Sequence, residues 1–347
     1  MDTPSAGGLV SLCLGIYIPH LIISTSFKIS SATVSRKPCS RKIYSNKRRG
    51  ITSEAGFLLL LLRTMSLEKI YIVRHGFRTA WTVDNKGNYR SHIPSPTGIA
   101  ADPPLTSHGI AQAEELAAHL ATLTPAVEAV YSSPYYRCLQ TIDPFVRLQL
   151  AAASAGTLTS RAADTVRIRG EHGVCEWFGA APFEHPQPAD AAELRGLFPA
   201  YDADFVSPVK PRVHGETYAQ LVARVRAAMQ ALIRRCDDEG RRSVVICSHA
   251  AVIIVLGRVL TGQHPDEMDT EDFKAFTCGL SVYARGRGAE GKNTDGKSDN
   301  VGNWICERNS DCSFLSGGEE RGWKFAGDES FPGTGSMSQD DPVESKL

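Results

Sequence analysis

From about residue 65 onward, short apolar runs alternate with longer amphipathic stretches. Lys69–Val73 (Lys-Ile-Tyr-Ile-Val) and Ser243–Cys247 (Ser-Val-Val-Ile-Cys) are brief, β-rich and almost uninterrupted in apolar character. Runs of this kind predict strands buried on both faces. Ala129–Tyr131 predicts a shorter third strand. Thr106 is a good N-cap for a helix through about Leu123, with Ile110, Ala113, Ala117 and Leu120 on one face. A helix is predicted after Pro134, with Arg137 in its first turn and Pro144 breaking or kinking it. Thr217–Asp238 carries the clearest helical stripe: Tyr218, Leu221, Val222, Val225, Leu232 and Ile233. Ala250–Leu260 predicts an apolar helix lying on the sheet. This alternation predicts a layered α/β domain with a mostly parallel sheet.

Two segments interrupt the pattern. Trp81–Pro104 is rich in Gly, Pro, Asn and Ser and predicts a loop over a site, and Phe183–Lys210 is Pro-rich and predicts an irregular cap. Loops this long in a compact domain usually serve function. Gly286–Asn300 is rich in Gly, Asp and Lys and predicts a flexible loop. The expected domain is 65–326, with 327–347 a disordered tail. Residues 1–64 do not resemble the rest. Thr3–Phe27 lacks Asp, Glu, Lys and Arg, and the stretch after it is basic, Ser-rich and acid-poor. A membrane anchor and a transit-type targeting segment both fit parts of this pattern. The favoured expectation is an alternative start at Met65, directly before the first strand.

Charge and cysteine usage narrow the classes. Lys plus Arg and Asp plus Glu both number 38, so the formal net charge is zero. That balance gives no general drive toward nucleic acid or an anionic membrane. The nine cysteines are scattered, without a Cys-x-x-Cys pair or histidines at zinc-site spacing. Reduced thiols in the cytosol or nucleus are the simpler expectation than a disulfide framework; a mitochondrial address applies if the basic extension is a transit peptide.

The first strand ends in Arg74-His75-Gly76. Ligand sites in open α/β sheets form just beyond carboxyl strand ends. Histidine can attack phosphorus, an arginine fork matches phosphate oxygens, and a glycine lets backbone approach closely. His249 follows the Ser243–Cys247 strand in the same way. Arg78 lies two residues past Gly76, and Arg137 lies near a helix start, where free N–H groups favour anions. The plain alternatives are a surface ion pair for Arg137 and a structural role for His249. His92, His108, His119, His172, His185, His214 and His264 lie on expected loops or helix faces without metal-ligand spacing. No metal or other cofactor is expected.

Taken in order, Arg74-His75-Gly76, the Asp102–Leu116 segment (Asp-Pro-Pro-Leu-Thr-Ser-His-Gly-Ile-Ala-Gln-Ala-Glu-Glu-Leu), Tyr131–Arg137 (Tyr-Ser-Ser-Pro-Tyr-Tyr-Arg), Val174–Phe178 (Val-Cys-Glu-Trp-Phe) and Ser243–Ala250 resemble the histidine phosphatase superfamily. That superfamily includes cofactor-dependent phosphoglycerate mutase. The resemblance spans about Leu67–Tyr283. It implies a three-layer α/β/α sandwich and a phosphomonoesterase working through a phosphohistidine. His75 would be the nucleophile, with its second ring nitrogen held by a backbone carbonyl. Arg74, Arg78, Arg137 and His249 would bind the phosphate. Glu176 would be the general acid and then the base, with Trp177 and Phe178 raising its pKa; Glu171 is its competitor. Glu216 would cap a helix or orient an arginine.

Phe77-Arg78 replaces the Glu-Ser of the mutase branch, and Ser-His-Ala-Ala replaces its His-Gly, which makes a sugar-phosphate mutase the weaker expectation. Arg-His-Gly-x-Arg, Ser-Ser-Pro and Glu-Trp are similar to the phosphatase domains of the Sts (TULA) proteins. They are also similar to the tau subunit of fungal transcription factor TFIIIC and its free-standing relatives. Phe314–Phe325 resembles a segment of that tau subunit and predicts a strand and turn closing the domain edge. The tau subunit continues well beyond the point matching Leu347, which favours a free-standing phosphatase acting on phosphotyrosine or small phosphate esters. The alternative is a phosphatase-like interaction module in RNA polymerase III transcription, with a protein partner in that machinery. The resemblance is also compatible with a homodimer, and no direct nucleic-acid or membrane binding is expected.

Overall fold

The structure, a computed structural model, describes residues 66–156, 167–286, 291–292 and 298–325. The extension at 1–64, most of the expected loop at 286–300 and the tail at 327–347 lie outside the described residues. A six-stranded sheet forms the centre, in the order β10-β7-β1-β6-β4-β5. Its parallel-paired strands are β1 (Lys69–Arg74), β4 (Val130–Ser132), β5 (Ile168–Gly170) and β6 (Ser243–Ser248); at one side β7 (Leu280–Arg285) pairs antiparallel with β1, and the edge strand β10 (Trp304–Asp311) pairs antiparallel with β7. A small hairpin pairs β2 (Trp81–Val83) with β3 (Tyr89–Ser91), and β8 (Gly291–Lys292) pairs with β9 (Ser298–Asp299).

The pleat explains the layering. Successive side chains of a strand face opposite sides. Ile70 and Ile72 of β1 join the core under α4 (Tyr218–Asp238) and α5 (Ala250–Thr261). Tyr71 and Val73 join the core under α1 (Ser107–Leu120) and α2 (Tyr136–Ser154). The sheet is therefore covered on both faces, as the apolar runs require. Thr217 caps α4 in a reciprocal box with Gln220.

Several expectations are corrected. α1 ends at Leu120, and Ile110 is 42% exposed; the buried face runs through Gly109, Gln112, Ala113, Leu116, Ala117 and Leu120. Pro144 lies inside α2, which continues past it to Ser154. Proline removes one helical bond, and burial of Cys138, Leu139, Ile142, Phe145 and Val146 along the same helix offsets that loss. The Trp81–Pro104 loop contains the β2–β3 hairpin, and its Trp81 is buried beside Ala101, Tyr135, Cys175 and Phe178. The Phe183–Lys210 segment contains a short helix, α3 (Ala191–Leu197). Phe314–Phe325 forms no strand; left-handed backbone at Gly318 and Arg321 interrupts extension, and the closing strand is β10, just upstream. Among the described residues no helix is long and apolar enough to cross a membrane.

Candidate active site

β1 and β6 pair in parallel as far as Arg74 and Ser248. The next residues, His75 and His249, therefore leave the sheet side by side. The His75 N–H donates to the Ser248 carbonyl at 3.0 Å, and the two rings meet edge-on with centroids 5.4 Å apart. Both histidines are buried.

His75 Nδ1 lies 2.9 Å from the Gly76 carbonyl. A carbonyl only accepts, so Nδ1 carries the proton and Nε2 keeps its lone pair. Burial, followed by Arg137, Arg74, His249 and Arg78, holds the His75 pKa well below its ordinary value. The ring is neutral at neutral pH. Gly76 serves a different approach from the one expected. A Cβ there would lie 2.8 Å from the Gly109 carbonyl, so the glycine admits the first turn of α1.

Arg137 is in the first turn of α2 and fully buried, which excludes a surface ion pair. Its Nη1 donates to Asp102 Oδ1 at 2.9 Å and to the Ala101 carbonyl at 3.0 Å. Its Nη2 lies 3.0 Å from Glu176 Oε2 and 3.1 Å from His249 Nδ1. Burial opposes the charge, but Asp102 and Glu176 hold the guanidinium firmly cationic. His249 Nε2 meets Ser133 Oγ at 2.7 Å, and its Nδ1 lies 3.2 Å from Glu176 Oε2. Burial disfavours the charged ring, yet the Cys138 sulfur and the Glu176 carboxylate beside it raise its pKa. Burial keeps the Cys138 thiol protonated, so Glu176 is the anion responsible. When His249 is protonated, Nδ1–H donates to Glu176 and Nε2–H to Ser133.

Glu176 corrects one expectation about charge. Burial pushes its carboxyl upward, but His249, Arg137 and Arg78 hold it well below the usual carboxylate range. The cations outweigh the apolar edge of Trp177 and Phe178, and without a ligand this group is a carboxylate. Glu171 lies elsewhere: it accepts from Gly173 N at 2.8 Å and Ser207 Oγ at 2.6 Å, capping the single 3-10 turn His172–Val174. Arg74 donates through Nη1 to the Ala275 carbonyl at 2.7 Å and to the Arg321 carbonyl. Arg78 donates to the Thr79 carbonyl at 3.0 Å and lies over the Trp81 ring at 5.7 Å. Both are close enough to His75 to depress its pKa.

Sequence reasoning missed two of the groups that hold these side chains, Asp102 and Ser133. Asp102 is fully buried and accepts from Tyr136 N, Arg137 N and the Arg137 guanidinium. Ser133 orients His249. Glu216 accepts from Arg224 Nε at 2.8 Å, and Arg224 Nη1 donates to the Gly173 and Cys175 carbonyls, pinning the backbone that leads into Glu176. Orienting an arginine was one of the two roles expected of Glu216. Asp102 and Ser133 sit inside the recognised boxes, but only the fold brings them onto Arg137 and His249.

His75, Glu176 and His249 offer ligand atoms within 4.8 Å of one another. Ligand type alone would allow a cation there. The Arg137 guanidinium touches two of the three groups, and Arg74 and Arg78 act on His75, so the field favours an anion. A tetrahedral oxyanion facing His75 satisfies these donors.

Comparison with known proteins identifies the family. Residues 70–291 match the family model described as histidine phosphatase superfamily (branch 1). The chain is 29% identical over 282 residues to the transcription factor tau 55 kDa subunit of Saccharomyces cerevisiae, covering 75% of this chain and 59% of that protein. It is 28% identical over 223 residues to the ecdysteroid-phosphate phosphatase of Drosophila melanogaster, covering 57% of this chain and 27% of that one. It thus spans about three fifths and about a quarter of those relatives. Among solved structures, the ecdysone phosphate phosphatase of Bombix mori in complex with tungstate aligns at 20% identity and a TM-score of 0.47, covering 70% of this chain and 93% of that one. The match to the family model takes in every site residue expected from sequence, from Arg74 to His249, and on it the chain belongs to branch 1 of the histidine phosphatase superfamily.

Proposed function

We propose that this protein is a phosphomonoesterase that works through a phosphohistidine at His75. The observation carrying this reading is the tautomer lock: Nδ1–H is committed to the Gly76 carbonyl, and a neutral Nε2 is left among Arg74, Arg78, Arg137 and His249. Nucleophile and phosphate-binding groups are in place before substrate arrives, so little reorganisation is needed at the moment of reaction.

The steps follow from these groups. The Nε2 lone pair attacks phosphorus and the ester P–O bond breaks, while the arginines and His249 hold the equatorial oxygens. An entering phosphate competes with the Glu176 carboxylate for Arg137 and His249. Two anions in one buried site favour proton uptake, so substrate binding raises the Glu176 pKa and turns it into an acid. Its proton passes to the leaving oxygen. The carboxylate then takes a proton from water, the hydroxide attacks phosphorus, and the N–P bond breaks to return His75 and phosphate.

Phosphotyrosine and small phosphate esters are the substrate classes proposed. The relative named as an ecdysteroid-phosphate phosphatase supports a hydrolytic reading. The likeness to a transcription factor tau subunit favours a second reading, a phosphatase-like module that recruits protein partners in the nucleus. A panel of aryl phosphates, phosphopeptides and sugar phosphates, run beside His75→Ala, separates them. Turnover lost in the variant supports the enzyme; no turnover of any ester by the parent supports the module.

A further inference from the structure

Arg321 lies far along the chain from every group used above, yet it reaches the phosphate site twice. Its carbonyl accepts from Arg74 Nη1. Its own Nη1 donates to the Arg78 carbonyl at 3.0 Å, and its guanidinium lies 4.5 Å from the Phe77 ring centroid. Its φ is +48°, a left-handed conformation that a residue with a Cβ adopts at a cost and keeps only where its surroundings enforce it.

The surroundings do enforce it. Glu320, the preceding residue, accepts from Gln112 Nε2 at 2.7 Å and meets His108 Nε2 at 2.6 Å, both on α1. The Glu320 carbonyl accepts from Thr277 N at 3.1 Å. On the other side, the Ala275 carbonyl is the second acceptor for Arg74 Nη1. The segment is thus tied to α1, to the approach to β7 and to the Arg74–Arg78 turn that carries His75.

We infer that Arg321 is a positioning residue for the phosphate site, acting through Arg74 and through the backbone at Arg78. This rests on the reading that the His75 pocket binds phosphate oxyanions. The backbone of Arg321 supplies half of the carbonyl pair that aims the Arg74 fork. Its side chain closes the loop by holding Arg78, so the two arginines flanking His75 are set by one residue. A positioned fork loses less rotamer freedom on binding an anion than a mobile one. The consequence is affinity for the oxyanion, not the identity of the nucleophile.

The test uses the full chain with Arg321→Ala and Arg321→Lys. Tungstate and inorganic phosphate binding are measured by calorimetry, p-nitrophenyl phosphate turnover by absorbance, and folding by thermal melting. Arg321→Ala is expected to weaken tungstate about tenfold at nearly unchanged melting temperature, the size of one lost charge-assisted hydrogen bond. kcat/KM falls in parallel. Arg321→Lys, which keeps a donor for the Arg78 carbonyl, recovers part of both. Should Arg321→Ala unfold, Arg321→Met keeps an unbranched side chain beside Phe77 while removing the guanidinium with its charge and donors, and it carries the same prediction. Parent-like tungstate affinity in a folded Arg321→Ala or Arg321→Met protein overturns the assignment. A parent that binds tungstate but hydrolyses no ester, with binding weakened in the variant, supports the positioning role while rejecting the proposed activity.

Discussion

Asp102→Ala is the substitution whose effect the structure defines most closely. Asp102 and Arg137 are both fully buried and joined at 2.9 Å. The carboxylate also accepts from Tyr136 N at 2.5 Å and more weakly from Arg137 N at 3.4 Å, at the start of α2. Alanine leaves Arg137 cationic with Glu176 as its remaining carboxylate, and it strands the N–H groups of the first turn. Removing one partner of a buried ion pair costs about 3–5 kcal/mol. In a domain of this size each kcal/mol is worth about 2–4 °C in melting temperature, so a fall of about 10 °C is expected. The freed guanidinium turns toward Glu176, away from the place an incoming phosphate must occupy, and kcat/KM should drop about a hundredfold. Asp102→Asn keeps an oxygen for the Tyr136 N–H and should lose less stability, while still losing much of the activity. Thermal melting followed by circular dichroism, with p-nitrophenyl phosphate turnover, reads both effects. A folded Asp102→Ala protein melting within about 2 °C of the parent and turning over normally would refute the reasoning.

His75→Ala should abolish turnover while the domain stays folded, and mass spectrometry after alkaline quench should find phosphate on His75 of the parent during turnover; phosphate on a cysteine would sink the mechanism. Glu176→Gln should slow alkyl phosphates far more than p-nitrophenyl phosphate, because a general acid matters most for a poor leaving group; equal losses would reject the role. Glu171→Ala, by contrast, should lower the melting temperature without leaving-group dependence. Stability should fall as pH drops below about 6.5, the ordinary histidine value. His75 is held well below that value, and burial followed by Lys210 brings His172 down to about 4. Unfolding lets both rings take up protons, so the stability they contribute is full above the unfolded pKa and is lost as pH falls toward the folded one. A melting temperature that is flat from pH 7 to about 5 would contradict this.

Much of the scaffold was legible because its signals are local. β1 and β6 are buried on both faces and so read as continuous apolar runs. α4 announces itself by its stripe and by Thr217 with Gln220. β10 was not legible: Trp-Ile-Cys-Glu-Arg-Asn-Ser-Asp is an edge strand with one partner, and its polar residues carry no alternation to detect. In the site, His75 and His249 follow directly from the ends of two predicted strands. The state of Glu176 did not, because its charge is set by His249 and Arg137, which arrive from other segments. Arg321 was invisible for the same reason. It is one arginine in a Gly-rich stretch, and what it offers Arg74 and takes from Arg78 are backbone carbonyls, which every residue possesses.

The order of strands in the sheet differs from their order along the chain, and this bears on how the molecule comes into being. β1 is made first, yet both of its neighbours, β6 and β7, are made late. β4 and β5 can pair as soon as they exist, but β6 must then insert between β4 and β1. Sheet closure therefore waits on contacts of large sequence separation, the kind that slow folding. A growing chain on the ribosome has no strand to join His75 to the Arg137 and Glu176 segments until residues 243–249 emerge. The same insertion that joins β1 to β4 brings His249 beside His75, so an unfinished chain has no assembled site.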